Sequence, residues 1–269
     1  MEPSVAPTTV DWNWLSGEVR TTTAEFADQL RSISDPGTSV PNLDWTVAEL
    51  AAHIIALPDV YRSQDELGQS FVVPEDWNAF SSDSRRSITE TNLALLADQL
   101  EQTVDGWLTE LDPDGGGTRI LYGQATTGKN ITAGILTELL LHGMDLSAIT
   151  GHKVTLANDQ ALAVLPGLFS LVPAFTDAEQ AKRCVGIFHF GFRNGPDYTY
   201  RVDDQGKLTV SDGKPSGAAA HLIADPATFV MLSLGRTNQI KAALTGKAIA
   251  YGRNPLLLAR LDAAKVSGV

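Results

Sequence analysis

Residues 135–151 read ILTELLLHGMDLSAITG, and the spacing within this stretch decides what kind of fold the chain builds. Its apolar positions fill a helix that can be buried on most sides. Gly151 stands where such a helix would end, and the pattern predicts a helix over residues 131–150. Glu138 and His142 are four residues apart and therefore share one face, with Asp145 one turn further on. Ionisable groups on an otherwise apolar helix need partners.

Three more stretches have helical spacing. Over residues 11–34, Leu15, Val19, Phe26, Leu30 and Ile33 recur every three to four positions. Residues 46–57 begin with a capping box, Thr46-Val47-Ala48-Glu49, with Trp45 before it as a hydrophobic staple. That helix carries His53 on its core side, next to Leu50, Ala51 and Ile54. Residues 83–111 show the cleanest stripe: Leu93, Leu96, Leu100, Val104, Trp107 and Leu111. Four amphipathic helices of this length predict a four-helix bundle, with connections at 58–82 and, Gly-rich, at 112–129.

Beyond residue 151 the pattern changes to short strands and turns. FHFGFR, DYTYRV and KLTVSD read as strands, the last two joined by a turn at Asp203–Gly206. HLIAD leads into a helix capped by Asp225 with Pro226 at its first position, and a further helix, a strand KAIAYG and a helix NPLLLARL follow. The expected fold class is thus α followed by α+β, with domains at 1–151 and 152–269 and a small antiparallel sheet layered with helices in the second. Charge divides at the same place. Residues 1–150 hold 7 Lys/Arg and 23 Asp/Glu, the remainder 13 and 9.

The 269 residues carry a net charge of −12, which speaks against nucleic acid and against an anionic membrane surface as partners. No run approaches the ~18 apolar residues of a membrane span. The opening MEPSVAPTTV has no signal-peptide pattern, so the expected location is cytoplasmic. The single cysteine, Cys184, excludes an internal disulfide and a cysteine-built zinc site, and its apolar surroundings CVGIFHF read as a buried thiol. No Gly-x-Ser-x-Gly elbow is present. Gly123–Asn130, GQATTGKN, approaches a phosphate-binding loop but has Asn130 where that motif needs Ser or Thr.

Two His and one Glu on different helices of a bundle are a ligand set for an open metal site, and Asp145 is placed to accept the free ring N–H of His142. On spacing alone a second possibility stays open, a buried polar cluster with satisfied histidines. The inner face of the third helix, extended backwards, turns polar at Asn78, Ser82, Arg85 and Arg86, a set suited to a carboxylate or sugar hydroxyls. Arg236 and Arg253 of the second half are further candidates for binding a small anionic ligand. Phe188, Phe190, Phe192 and Tyr198 either pack a core or line a cavity, the latter fitting a non-catalytic carrier of a small hydrophobic ligand. His152, His189 and His221 have no partner spacing and read as structural.

The pair DWTVAELAAHI (44–54) and ILTELLLHGMDLSAITG (135–151), with EDWNAF (75–80) between them, resembles the signatures of the mycothiol-dependent maleylpyruvate isomerase family, within the DinB-like metal-binding bundles. Gly143-Met144 stands where that family often has Arg-Trp. HLIADPATFVMLSLGR (221–236) and LTGKAIAYGRNPLLLARL (244–261) resemble the sterol-carrier-protein-like domain that follows such bundles, with Arg253 where an Asp is usual. The resemblance implies His53, Glu138 and His142 as ligands of a divalent metal, zinc by default. It further implies mycothiol as co-substrate, a small electrophile as the other partner, and isomerase or S-transferase activity.

Overall fold

A computed structural model of the chain describes residues 10–41, 43–70, 73, 86, 88–112 and 114–265. The chain passes from one compact unit to a second between Leu156 and Ala157.

The first unit is a helical bundle. Its helices are α1 (Trp12–Ser32), α2 (Val47–Leu67), α3 (Leu93–Leu111) and α4 (Gly128–Thr150). The core comes from the stripes seen in the sequence: Leu15, Val19, Phe26 and Leu30 of α1, then Leu96, Leu100, Val104 and Trp107 of α3, all at most 1% exposed. Trp107 donates its indole N–H to Thr132 Oγ1 at 3.0 Å, so even its polar edge is satisfied inside the bundle. Thr46 and Glu49 form the expected capping box, and Gly151 ends α4 in the left-handed conformation.

Three boundaries differ from the sequence reading. Helix α2 continues through Pro58 to Leu67 instead of ending at residue 57. Proline removes one backbone donor there, but continuing the helix buries Tyr61 and Gln64, so packing overrides the local breaker. Helix α3 starts at Leu93, ten residues later than expected, because Asn92 Oδ1 accepts from the N–H groups of Ala94 and Leu95. The Gly-rich connection folds as a hairpin, β1 (Thr118–Leu121) with β2 (Gln124–Thr127). Its turn places Tyr122 and Gly123 at φ +52° and +71°, the signature of a two-residue hairpin turn that few aromatic residues adopt. Asp65 and Gln64 at the end of α2 hold this hairpin by accepting from the backbone N–H groups of Ile120 (2.7 Å) and Tyr122 (3.0 Å). The phosphate-loop-like segment is accordingly strand β2 and the start of α4, with Thr127 as N-cap.

The second unit is α+β. It starts with helix α5 (Asn158–Leu171), which the sequence reading missed because Pro166-Gly167 reads as a breaker. Short helix α6 (Ala178–Ala181) leads to strands β3 (Gly186–Phe192), β4 (Asp197–Val202), β5 (Leu208–Asp212) and β6 (Ala220–Ala224). Helices α7 (Pro226–Ser233) and α8 (Gln239–Leu244), strand β7 (Ala248–Gly252) and helix α9 (Leu256–Asp262) complete it. The sheet order is β5-β4-β3-β6-β7, and the β3–β6 pair is parallel. The sheet is therefore mixed and not wholly antiparallel, because the segment between β5 and β6 carries the chain across to the free edge of β3. Asp225 occupies the N-cap of α7, but its carboxylate accepts from Arg193 at 2.7 Å instead of capping. Phe188, Phe190, Phe192 and Tyr198 are buried, and Phe169 of α5 stacks on Tyr198 at 4.0 Å and meets Phe190 and Phe192 edge-on. These rings fill a core with one another.

Leu100 is fully buried between helices of the bundle. Leu100→Ala is expected to destabilise the first unit by about 2–5 kcal/mol in urea unfolding. A loss below about 1 kcal/mol would contradict the packing described here.

Candidate metal centre

His53 lies in α2 six residues past its first residue, and Glu138 and His142 lie one turn apart in α4. The bundle faces these helices toward each other. His53 Nε2 is 3.4 Å from Glu138 Oε2, and His142 Nε2 is 3.2 Å from the same oxygen. One ligand atom from each residue falls within 4.8 Å of the other two. Ligands held about 2.0–2.1 Å from a tetrahedral ion stand about 3.3 Å apart, so both measured edges fit one ion among the three groups. His53 and His142 are 8% and 7% exposed, Glu138 is half-buried, and the two rings meet edge-on at 5.4 Å.

The surroundings hold the ligand atoms in place. Asp145 is itself buried, with Oδ2 2.9 Å from His142 Nδ1. That contact puts a ring proton on Nδ1 and turns Nε2 toward Glu138, the ring orientation found behind metal-ligating histidines, with Nε2 able to bind an ion once its own proton leaves. Burial works against a charge on Glu138, but hydrogen bonds from His142 and His53 and their charges outweigh it and hold its carboxyl well below the ordinary range. Burial likewise disfavours the charged ring of His142, yet hydrogen bonds to Asp145 and Glu138 push its pKa up. The cluster is thus a carboxylate facing two imidazole nitrogens, a set that imidazole protons satisfy and that could also hold a metal ion.

Trp45 borders the site, and Tyr61 and the half-buried Tyr122 lie within electrostatic reach of Glu138. Trp45, expected as a staple, has its ring 5.1 Å from that of His53 and 5.9 Å from that of His142. Tyr61 and Tyr122 escaped the sequence reading. Tyr61 lies in the part of α2 beyond Pro58, and Tyr122 sits in the unforeseen hairpin turn. Burial first, and then the negative charge of Glu138 among other contributions, raise the pKa of both phenols, so both stay protonated. The left-handed φ of Tyr122 costs on the order of 1–3 kcal/mol and is imposed by the hairpin turn.

The remaining sequence candidates are placed differently. Asn78 and Arg85 lie outside the described residues, as does the Trp-Asn segment. Arg86 is exposed in a turn ahead of α3, not on that helix. Arg236 and Arg253 belong to the second unit: Arg236 is half-buried after α7, and Arg253 donates to the carbonyl of Gly217 at 3.2 Å.

The fold is a helical bundle followed by an α+β unit with a five-stranded mixed sheet. No family model matches the chain, and no curated protein matches it either. Among solved structures, that of the mycothiol-dependent maleylpyruvate isomerase is similar over 86% of this chain and 91% of its own, at 14% identity and TM-score 0.48. Sterol carrier protein 2 from Yarrowia lipolytica is similar over 33% of this chain and 76% of its own, at 23% identity and TM-score 0.27. The sec-alkylsulfatase Pisa1 from Pseudomonas sp. is similar over 53% of this chain at 15% identity and TM-score 0.37, and the match spans a quarter of its length. Likeness of this degree concerns the fold, and the chemistry of the site rests on the side chains above.

Elemental analysis of protein purified without an affinity tag should find close to one divalent metal per chain, and close to none in His142→Ala. Asp145→Asn should bind zinc about 10–100-fold more weakly in competition with a chelating dye. Unchanged affinity would show that the Asp145 contact does not tune the site.

Proposed function

We propose that the chain is a metal-dependent enzyme whose nucleophile is an external low-molecular-weight thiol, mycothiol first among candidates. The observation that carries this reading is that His53 Nε2 and His142 Nε2 lie 3.4 and 3.2 Å from Glu138 Oε2, with one possible ligand atom of each residue within 4.8 Å of the others. Two imidazoles and a carboxylate are the donor set of catalytic zinc sites, which keep one position open. A divalent ion held there lowers the pKa of a thiol and favours the thiolate, the reactive form.

This chain's own residues have distinct tasks in that reading. Asp145 keeps the His142 Nε2 lone pair aimed at the centre, and Trp45 shields both imidazoles on one side. Cys184 is not the nucleophile. It is 1% exposed in the second unit, its thiol donates to the Ala181 carbonyl at 3.2 Å, and burial pushes its pKa up. A thiol from outside the chain meets that need. The resemblance of residues 44–54 and 135–151 to the thiol-dependent isomerase family points to mycothiol.

Thiolate addition to the electrophilic carbon of a conjugated double bond would form a C–S bond, break the π bond and leave a carbanion stabilised by conjugation. Expulsion of the thiolate after bond rotation would restore the double bond and give isomerisation, and protonation of the carbanion by water with the thioether retained would give S-transfer. The partners are accordingly a small thiol and a small electrophile. The charge of −12 disfavours nucleic acid, and no helix among the described residues is long and apolar enough to cross a membrane. The carrier alternative draws no support from Phe188, Phe190, Phe192 and Tyr198, which pack in a core.

Cobalt-substituted protein is expected to develop a sulfur-to-cobalt charge-transfer band when mycothiol is added, and Glu138→Gln should lose it. A cobalt protein whose spectrum ignores thiols would remove the basis of this reading.

A further inference from the structure

An open cavity of about 560 Å³ lies in the α+β unit, between the segment that carries α6 and the end of α9, and Gln180, Arg183, Arg260 and Ala263 line it. That volume is in the range of small-ligand pockets. Backbone contacts tie the two segments together. Thr176 and Lys265 form an antiparallel bridge, and the Asp177 N–H donates to the Ala264 carbonyl at 2.8 Å. The turn that carries Arg183 (Lys182–Cys184) follows α6 directly, and the buried Cys184 thiol closes it on the Ala181 carbonyl. Arg260 reaches across from α9 to this turn, with Nη1 3.5 Å from the Arg183 carbonyl oxygen.

The charge on this cavity is uncompensated. Each acidic side chain of the two segments is engaged elsewhere. Asp177 caps α6 by accepting from the N–H groups of Glu179 and Gln180, Glu179 accepts from Lys182, and Asp262 accepts from Lys265 and Gln239. Both lysines are therefore paired, whereas Arg183 and Arg260 have no carboxylate within ion-pair distance among the described residues. Arg193, in the same unit, has Asp225 at 2.7 Å. Two guanidiniums lining one cavity repel each other and make its interior positive, a condition that a bound anion relieves. Gln180 is half-buried and adds a carboxamide donor to the same lining.

We propose that Arg183, Arg260 and Gln180 bind a small organic molecule through a phosphate monoester group. Guanidinium forks match phosphate oxygens in bidentate fashion, and two of them balance the charge of a dianion. A carboxylate offers the same forks only one negative charge and would leave one guanidinium uncompensated. A bare phosphate fills a small part of the cavity, which leaves room for the organic portion beside it. Arg183 and Arg260 are exposed, so such a ligand enters without a rearrangement of the fold. The site shares no residue with the centre in the bundle and does not rest on the thiol chemistry proposed for it.

The test is isothermal titration calorimetry at fixed ionic strength and about pH 8, where a phosphate monoester is a dianion. Phenyl phosphate is the probe and benzoate its singly charged counterpart. Phenyl phosphate should bind wild type saturably, and Arg183→Gln and Arg260→Gln should each weaken it about tenfold or more. Arg201→Gln removes an exposed charge of the same unit outside the cavity and should leave the affinity unchanged. Absence of saturable binding, or equal weakening in all three variants, would overturn the proposal. Benzoate bound as tightly as phenyl phosphate would overturn the choice of a phosphate. Binding that disappears in His142→Ala would assign the heat to a metal in the bundle and overturn this site, while binding retained there upholds it. Should one arginine variant not fold, the other decides against Arg201→Gln.

Discussion

Everything in the first unit that bears on function depends on one constraint. Two imidazole nitrogens and a carboxylate oxygen, carried by two helices, face a single point inside a bundle. Such groups need protons or a metal ion between them, and both imidazoles are buried. The nearly buried Asp145 behind His142 and the Trp45 ring against both histidines are the arrangement that keeps the donor atoms aimed. Such a cluster is costly as a mere packing feature and well suited to binding an ion.

Helices supply the precision that this needs. Glu138 and His142 are fixed relative to each other by one turn of α4, which is anchored at its start by Thr127 and by the Thr132–Trp107 hydrogen bond. Gly128 is fitted there as well, since a Cβ would lie 2.2 Å from the Gly115 carbonyl oxygen. His53 comes from α2, whose start is set by the Thr46–Glu49 capping box. The hairpin before α4 then brings the Tyr122 turn against Gln64 at the far end of α2. Both ends of α2 and the start of α4 are therefore tied down by local interactions, and the positions of His53, Glu138 and His142 follow from helical geometry.

Much of this was legible in the sequence, because helical periodicity and capping act over a few residues. The stripes of α1 and α3, the capping box and the glycine at the end of α4 were read correctly for that reason. So was the shared face of Glu138 and His142. Elements that hinge on tertiary contacts were not legible. Pro58 and Pro166 look like breakers, and only the burial of Tyr61, Gln64 and Phe169 reveals that the helices run past or through them. The parallel pairing of β3 with β6 depends on a crossover, so nothing local announced that His189 and His221 would be neighbours. Spacing in sequence, 32 residues, made them look unrelated.

If the bundle holds an ion through two imidazoles and one carboxylate with a position left for sulfur, X-ray absorption at the zinc edge, on tag-free protein loaded with one equivalent, will show a first shell of nitrogen and oxygen at about 2.0–2.1 Å with the multiple-scattering pattern of imidazole. Addition of mycothiol should then introduce one sulfur at about 2.3 Å. A shell without imidazole scattering, or one that stays free of sulfur at saturating thiol, would contradict it.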